Sequence, residues 1–348
     1  MKKLTLLTTA LFLFFGLTQA QNEEKHLGNI KQITFGGDNA EAYFSPNGDK
    51  ISFQSNNKKW GLKCDQIFYM NLAEPILDSN GKAQMISTGK GRTTCSYYMP
   101  NNNDIIYAST HMKHQTCPPD PMSTGRYLWA IYPEFDIFVA DEKGNIKKQI
   151  TNTSGYDAEA TISPDGKMIV FTSTRNGDLD LYISDIEGNH VKQITTGLGY
   201  DGGAFFSPDS KRLVFRASRP KTEAEIKDYK DLLKQGLVAP TNMELYTCNI
   251  DGSELKQITN LGKANWAPFF HPSGNKIIFS SNHHSVKGYD FQLYIINVDG
   301  TGLERITNNS LFNAFPMFSP DGSKLIFSSN RNNGGTRDTN LFICDWID

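Results

Sequence analysis

Phe318-Ser319-Pro320-Asp321-Gly322 runs into Lys324-Leu325-Ile326-Phe327, a tight turn leading into a short apolar-rich strand. Pro presets φ for such a turn, Asp bonds its own backbone two residues on, and Gly accepts a positive φ. The same block returns at Phe44-Ser45-Pro46-Asn47-Gly48, Tyr98-Met99-Pro100-Asn101-Asn102, Ile162-Ser163-Pro164-Asp165-Gly166, Phe206-Ser207-Pro208-Asp209-Ser210 and Phe270-His271-Pro272-Ser273-Gly274. In the two blocks without a final Gly, Asn102 tolerates the left-handed conformation, whereas Ser210 does so at a strain on the order of 1 kcal/mol.

Working outward from these turns, each is followed by a strand such as Lys167-Met168-Ile169-Val170-Phe171. A third strand follows, at Ile67-Phe68-Tyr69, Ile137-Phe138-Val139, Leu181-Tyr182-Ile183, Leu245-Tyr246-Thr247, Leu293-Tyr294-Ile295 and Leu341-Phe342-Ile343. A fourth carries Gln-Ile-Thr or a close variant, at Gln32-Ile33-Thr34, Met85-Ile86-Ser87, Gln149-Ile150-Thr151, Gln193-Ile194-Thr195, Gln257-Ile258-Thr259 and Arg305-Ile306-Thr307. Four short strands in six repeated units predict an all-β fold, a six-bladed β-propeller over residues 28–348. The sixth unit stops after its third strand, while an unmatched Gln32-Ile33-Thr34 strand precedes the first. The N-terminal strand is therefore expected to complete the last blade, which hides two strand edges. Two long units carry insertions, about 110–133 and 218–242.

The Phe-Ser-Pro-Asp-Gly turn, Phe-x-Ser second strand, Leu-Tyr third strand and Gln-Ile-Thr fourth strand resemble the TolB-type propeller repeat. The resemblance covers nearly all of the chain after its first residues. It implies the propeller fold; the family's periplasmic member is itself the partner of a lipoprotein. That member also carries an N-terminal α/β domain, which is not expected here because only about ten residues separate residue 20, where a signal peptide is read to end, from the first strand. Related propellers gate prolyl-oligopeptidase-like enzymes and, with seven blades, form oligogalacturonate lyases.

Composition narrows the function classes. The 348 residues carry 35 basic and 37 acidic side chains, with no concentrated Lys/Arg footprint, which argues against nucleic acid. Residues 1–20 read as a signal peptide: Lys2 and Lys3, an apolar run from Leu4 to about Leu17, and small residues near Ala20. That run is shorter than the roughly 20 residues of a bilayer helix, and no later segment is apolar enough to span. The mature chain is expected to be exported, periplasmic or secreted, which permits disulfides. Of five cysteines, Cys64, Cys95 and Cys117 are the candidates for one bridge that pins the first insertion, whereas Cys248 and Cys344 read as buried thiols.

Propeller geometry puts the Ser-Pro turns at the bottom and both insertions at the top. The residue seven before each turn proline is polar: Asn39, Thr93, Asp157, Asp201, Asn265 and Asn313. Period-two alternation places Glu41, Cys95, Glu159, Gly203, Ala267 and Phe315 next on the same side. Two readings compete: these groups cap loops, or Glu41, Asp157, Glu159, Asp201, Asn265 and Asn313 form a ligand-binding ring at the channel mouth. His111, His114, His283 and His284 fall in top loops of the second and fifth units, as solvated side chains or as ligands for a divalent metal. Thr222-x-x-Glu225 is a capping box that opens a helix with Ile226, Tyr229, Leu232 and Leu233 on one side.

There is no Gly-x-Ser-x-Gly elbow, Walker loop, dinucleotide fingerprint or His-Glu-x-x-His motif. The sequence points first to an exported, non-catalytic propeller that binds a protein or glycan through its top face. The alternative is a polysaccharide or oligouronide lyase, with His111 or His114 as base, Arg92 or Arg126 neutralising a uronate carboxylate, and a divalent metal.

Overall fold

Short strands of alternating pattern that succeed one another in the chain pair most readily with their sequence neighbours, so each unit folds into an antiparallel meander. The computed structural model describes residues 24–348 except 76 and 122–124; the predicted signal peptide lies outside the described residues. Its first blade runs Asp38–Phe44, Lys50–Asn56, Gln66–Asn71, Gln84–Met85 from the axis outward. The other inner strands are Thr93–Tyr98, Asp157–Ile162, Asp201–Phe206, Asn265–Phe270 and Asn313–Phe318. They neighbour one another in chain order, and the last lies beside the first, making a six-bladed ring. In the sixth blade Leu27–Gln32 supplies the outermost strand, with Leu27 opposite Trp346 and Gln32 opposite Phe342. Glu24 adds a second tie, accepting from Arg331 at 3.1 and 3.2 Å.

The turns take the conformation their residues predict. Asn102 and Ser210 sit at φ 61° each, beside Gly48, Gly166, Gly274 and Gly322 at 72–76°. The turn serine or its Asp closes the loop, as Ser163 Oγ donates to Asp165 at 2.6 Å and Ser319 Oγ to Asp321 at 2.6 Å. Apolar faces of adjacent blades pack together, for example Val170 and Leu181 with Leu213 and Phe215. Each such side chain contributes on the order of 1.5–3 kcal/mol by burial.

The fourth strands are shorter than the motif suggests, ending at Met85, Gln149, Gln193, Gln257 and Arg305, before the Ile-Thr pair. The reason is the threonine. Its hydroxyl replaces a backbone acceptor and takes the third strand's N–H: Ile137 to Thr151 at 2.9 Å, Leu181 to Thr195 at 2.9 Å, Leu293 to Thr307 at 2.8 Å. The same hydroxyl donates to the acid or amide that starts the third strand, as Thr151 does to Asp136, Thr195 to Asp180 and Thr259 to Glu244. A buried polar chain thus locks the outer strand of each blade.

Every inner strand carries a β-bulge at one register, between Ala40 and Tyr43 in the first blade and at equivalent places in the other five. The bulge residues all have positive φ: Glu41 53°, Cys95 48°, Glu159 61°, Gly203 58°, Ala267 48° and Phe315 54°. Five of the six are not glycine, so each adds strain of about 1 kcal/mol. This ring of bulges breaks strict alternation. Below it, Tyr43, Tyr97, Phe205 and Phe269 meet on the axis at ring-centroid distances of 5.1–6.1 Å and plug the channel.

The two insertions meet. Trp129–Ala130 of the first pairs antiparallel with Leu237–Val238 of the second. The second contains the expected helix, Glu223–Leu233, with its capping box formed and Tyr229 and Leu232 buried. Arg126 grips Asp228 of that helix through two 2.8 Å bonds, and Tyr229 donates to Asp178 of the third blade. Among the described residues no helix is long and apolar enough to cross a membrane.

Candidate functional site

The aromatic plug leaves two depressions on the axis. The lower one, about 360 Å³, is ringed by the turn prolines and by Phe44, Phe270 and Phe318. The upper one, about 470 Å³, is floored by the bulge ring and roofed by Tyr127 to Tyr132 of the first insertion. Only the upper cavity gathers charged groups.

All six bulge residues line it, Glu41, Cys95, Glu159, Gly203, Ala267 and Phe315. Of the residues two positions before them, only Thr93 also lines it. Asp157 is buried against Arg175 at 2.9 Å and Thr153 at 2.6 Å, and Asp201 is gripped by Arg219. Asn265 bonds Ser281 at 2.6 Å and Glu244 at 3.2 Å; Asn313 bonds Gln292 at 2.8 Å and Arg331 at 3.0 Å. Of the expected ligand ring, Glu41 and Glu159 face the cavity, while Asp157 and Asp201 pair with arginines of their own blades and Asn265 and Asn313 bond the preceding blade. The bulge is the physical cause, since it turns one residue in each inner strand out of register.

The cavity's centre is an ion pair buried in an aromatic sandwich. Arg216 Nη2 donates to Glu159 Oε1 and, at 2.7 Å, to the Tyr200 hydroxyl; both charged side chains are about 7% exposed. Its guanidinium lies 5.1 Å from the Trp129 ring and 5.0 Å from the Tyr200 ring, within cation–π range. Glu159 also accepts from Tyr200 at 2.6 Å, Thr172 at 2.7 Å and the Gly203 amide at 2.8 Å. Burial alone would push this carboxyl up, but Arg216 and these bonds hold it below the usual range. A Cβ on Gly203 would fall 1.8 Å from Arg216 Nη1, so only glycine leaves room for the guanidinium there. Arg216 Nε, buried, has no hydrogen-bond partner among the described residues.

Glu41 differs from Glu159. No cation lies within ion-pair distance among the described residues, and its neighbour is the Cys95 thiol. Burial pushes its carboxyl up to about 7. At the rim, Arg92 bridges Asp65, at 3.3 Å, and Asp120; burial outweighs Arg92 and raises Asp65.

The histidines are not assembled into a site. His111 packs 4.4 Å from the Phe138 ring with Nδ1 2.9 Å from Ser109, and His283 packs 4.6 Å from Tyr294 with Nδ1 3.0 Å from Ser281. Both follow the second strand by two residues, where other blades place Arg175, Arg219 and Arg331, each stacked on an aromatic ring. Burial lowers the pKa of His111 and His283 alike. His114 lies 3.7 Å from Glu134, and His284 lies 3.3 Å from Asp290 and 2.9 Å from Tyr294. Among the described residues no three His, Cys, Asp or Glu converge as metal ligands. Among the described residues His111 and His114 line neither of these two cavities, and Arg126 serves the junction between the insertions. Arg92 alone of that set reaches the cavity.

Cys64 and Cys117 form a disulfide, with Cα atoms 5.9 Å apart, which pins the first insertion to the first blade. Cys95 is free at the cavity, and Cys248 and Cys344 are buried thiols.

The TolB beta propeller domain model matches residues 132–237 and 237–337. Solved structures sharing the fold include a protein assigned as TolB from Agrobacterium tumefaciens, 19% identical over 90% of this chain and 91% of that one, TM-score 0.57. TolB from Acinetobacter baumannii is 18% identical over 89% of this chain and 63% of its own length, TM-score 0.52. Oligogalacturonate lyase from Vibrio parahaemolyticus is 10% identical over 91% and 93%, TM-score 0.51. These likenesses concern the fold. No curated protein matches the chain in sequence.

Proposed function

The chain belongs to the TolB β-propeller domain family, and on that premise we propose that it is an exported, non-catalytic binding propeller that takes a protein or glycan ligand through its top face. One observation carries this reading. Two insertions from different blades join over one mouth of the channel and enclose a cavity walled by Trp129, Trp266, Tyr127 and Tyr200 around a buried ion pair. Long loops on a rigid scaffold usually serve binding, and a concave, mainly aromatic site with few polar groups is the usual form of a ligand pocket. Export is supported by the apolar leader from Leu4 to Leu17 and by a bridge between Cys64 and Cys117, which an oxidising compartment favours.

The lyase reading needs a base beside the substrate. His111 and His114 do not line the cavity, and Arg92 is committed to Asp65 and Asp120, so the geometry favours binding. A thermal-shift panel of oligosaccharides and short peptides on the mature protein tests this, with Trp129→Ala as control. At a hundredfold excess over Kd, a cavity ligand stabilises by about 2.7 kcal/mol. One ligand class is expected to raise Tm in the wild type and not in the variant. Equal responses in both proteins would remove the cavity from the account.

A further inference from the structure

The charges of the upper cavity do not balance. Four carboxylates, Glu41, Glu159, Asp65 and Asp120, face two guanidiniums, Arg216 and Arg92. Glu159 is matched by Arg216, and Asp65 and Asp120 share Arg92. Glu41 has no ion-pair partner among the described residues, the Arg216 guanidinium acting on it only from farther off. Its backbone is held at φ 53° in the bulge, which directs the side chain to the cavity rather than into the loop network that absorbs Asn39.

The walls already hold one cation, because Arg216 lies between Trp129 and Tyr200. Trp129 continues into Trp266 at 5.2 Å between centroids and Tyr127 at 6.4 Å, so the aromatic surface extends beyond the guanidinium. A lone carboxylate beside aromatic faces is the chemistry that selects an organic cation. Arg216 Nε supplies the second requirement. It is a buried donor without an acceptor, and leaving such a donor unmet is costly.

Resting on the cavity reading above, we propose that the upper cavity binds a ligand carrying an ammonium group next to a hydrogen-bond acceptor oxygen. Glu41 is the counter-ion of the ammonium, the Trp129–Trp266 surface packs against the ligand's carbon frame, and Arg216 meets the oxygen. Two sources present this chemistry: an amino sugar with its hydroxyls, and a lysine-bearing peptide with its carbonyls. The other charged and titratable groups around Glu41 are Glu159, Arg216, Asp65, Cys95 and Tyr43.

Calorimetric titration of the mature protein at neutral pH uses matched probes. Glucosamine is compared with N-acetylglucosamine and glucuronate, and Ala-Lys-Ala with its Nζ-acetylated form. One amine is expected to bind roughly tenfold or more tightly than its acetylated partner, and the pair that discriminates identifies the source. Glu41→Gln, isosteric and checked for an unchanged fold by circular dichroism, is expected to abolish that preference. Equal or tighter binding of the acetylated or acidic probes would overturn the ammonium assignment, as would amine binding that Glu41→Gln does not weaken. Absence of amine binding at millimolar concentration also overturns it. If acetylated or acidic probes bind and Trp129→Ala abolishes that binding, the cavity reading stands and the ammonium reading alone falls. Binding of any probe that survives Trp129→Ala removes both.

Discussion

Replacing Arg216 with Met tests whether the ion pair at the cavity floor is as tightly enclosed as its contacts indicate. The substitution keeps an unbranched chain of similar length, still able to lie between Trp129 and Tyr200. It removes the donor to Glu159 Oε1 and the 2.7 Å bond to the Tyr200 hydroxyl. Glu159, about 7% exposed, is then a buried carboxylate without a cation. Breaking such a pair from one side costs about 3–5 kcal/mol. Unfolding entropy near 2.1 cal/mol/K per residue, over a chain of roughly 320 residues, converts this to a fall in Tm of about 4–7 °C. Differential scanning calorimetry at neutral pH measures it. Adding Glu159→Gln removes the stranded charge but retains acceptors for Tyr200 and Thr172, so the double variant is expected to recover most of the loss. The penalty of Arg216→Met alone is expected to shrink on acidification, because Glu159 without its partner takes up a proton on folding. A single-variant loss below about 1 °C, or no recovery in the double variant, would refute the enclosed pair.

Glu41→Gln is expected to change the pH dependence of stability. Burial raises the folded carboxyl from 4.5 to about 7, so the folded state holds a proton the unfolded chain has released, and stability falls as pH rises through that window, by at most ~3 kcal/mol. The variant should therefore be increasingly more stable than wild type from pH 5 to pH 8 in denaturant melts; a constant difference contradicts the assignment. Cys64→Ser is expected to cost up to ~4 kcal/mol by opening a loop spanning 53 positions, with a matching drop in wild-type Tm under reductant. Deleting residues 28–36 removes the outermost strand of the last blade and Thr34, whose hydroxyl accepts from the Leu341 amide at 2.8 Å. Hydrogen exchange should then rise across Asn340–Trp346, and unchanged protection there would count against that closure.

The fold was legible because its signals are local and repeated. Ser-Pro-Asp-Gly turns, the Leu-Tyr strand and Gln-Ile-Thr each satisfy a backbone requirement within their own blade, so reading one unit reads six. The site was less legible because its central pair, Glu159 and Arg216, joins two blades, and because loop arginines claim acids within their own blades. Asp157 and Asp201 were candidates for the channel mouth, but Arg175 and Arg219 claim them, and aligning the residue two positions after each second strand pairs them. The same alignment places His111 and His283 in the arginine position, which explains why they stack on Phe138 and Tyr294 rather than converge. Arg216 left one trace in the sequence. A charge stands where other second strands carry Gln54, Ala108, Thr172, Ser280 or Ser328, opposite Gly202-Gly203. Nothing local announced that the two insertions would pair, since Trp129–Ala130 and Leu237–Val238 are two-residue strands more than a hundred positions apart.

Ligand is proposed to bind beneath the joined insertions. Trp129 and Trp266 line that cavity, whereas Trp60 lies in the first blade and Trp346 in the last. With Trp60→Phe and Trp346→Phe in place, the emission reports the cavity alone. Titrating this variant with the ligand that stabilises the wild type most should give a saturable emission change, with the same Kd as calorimetry. Calorimetric binding that leaves the emission unchanged would place the ligand elsewhere on the propeller and contradict the account.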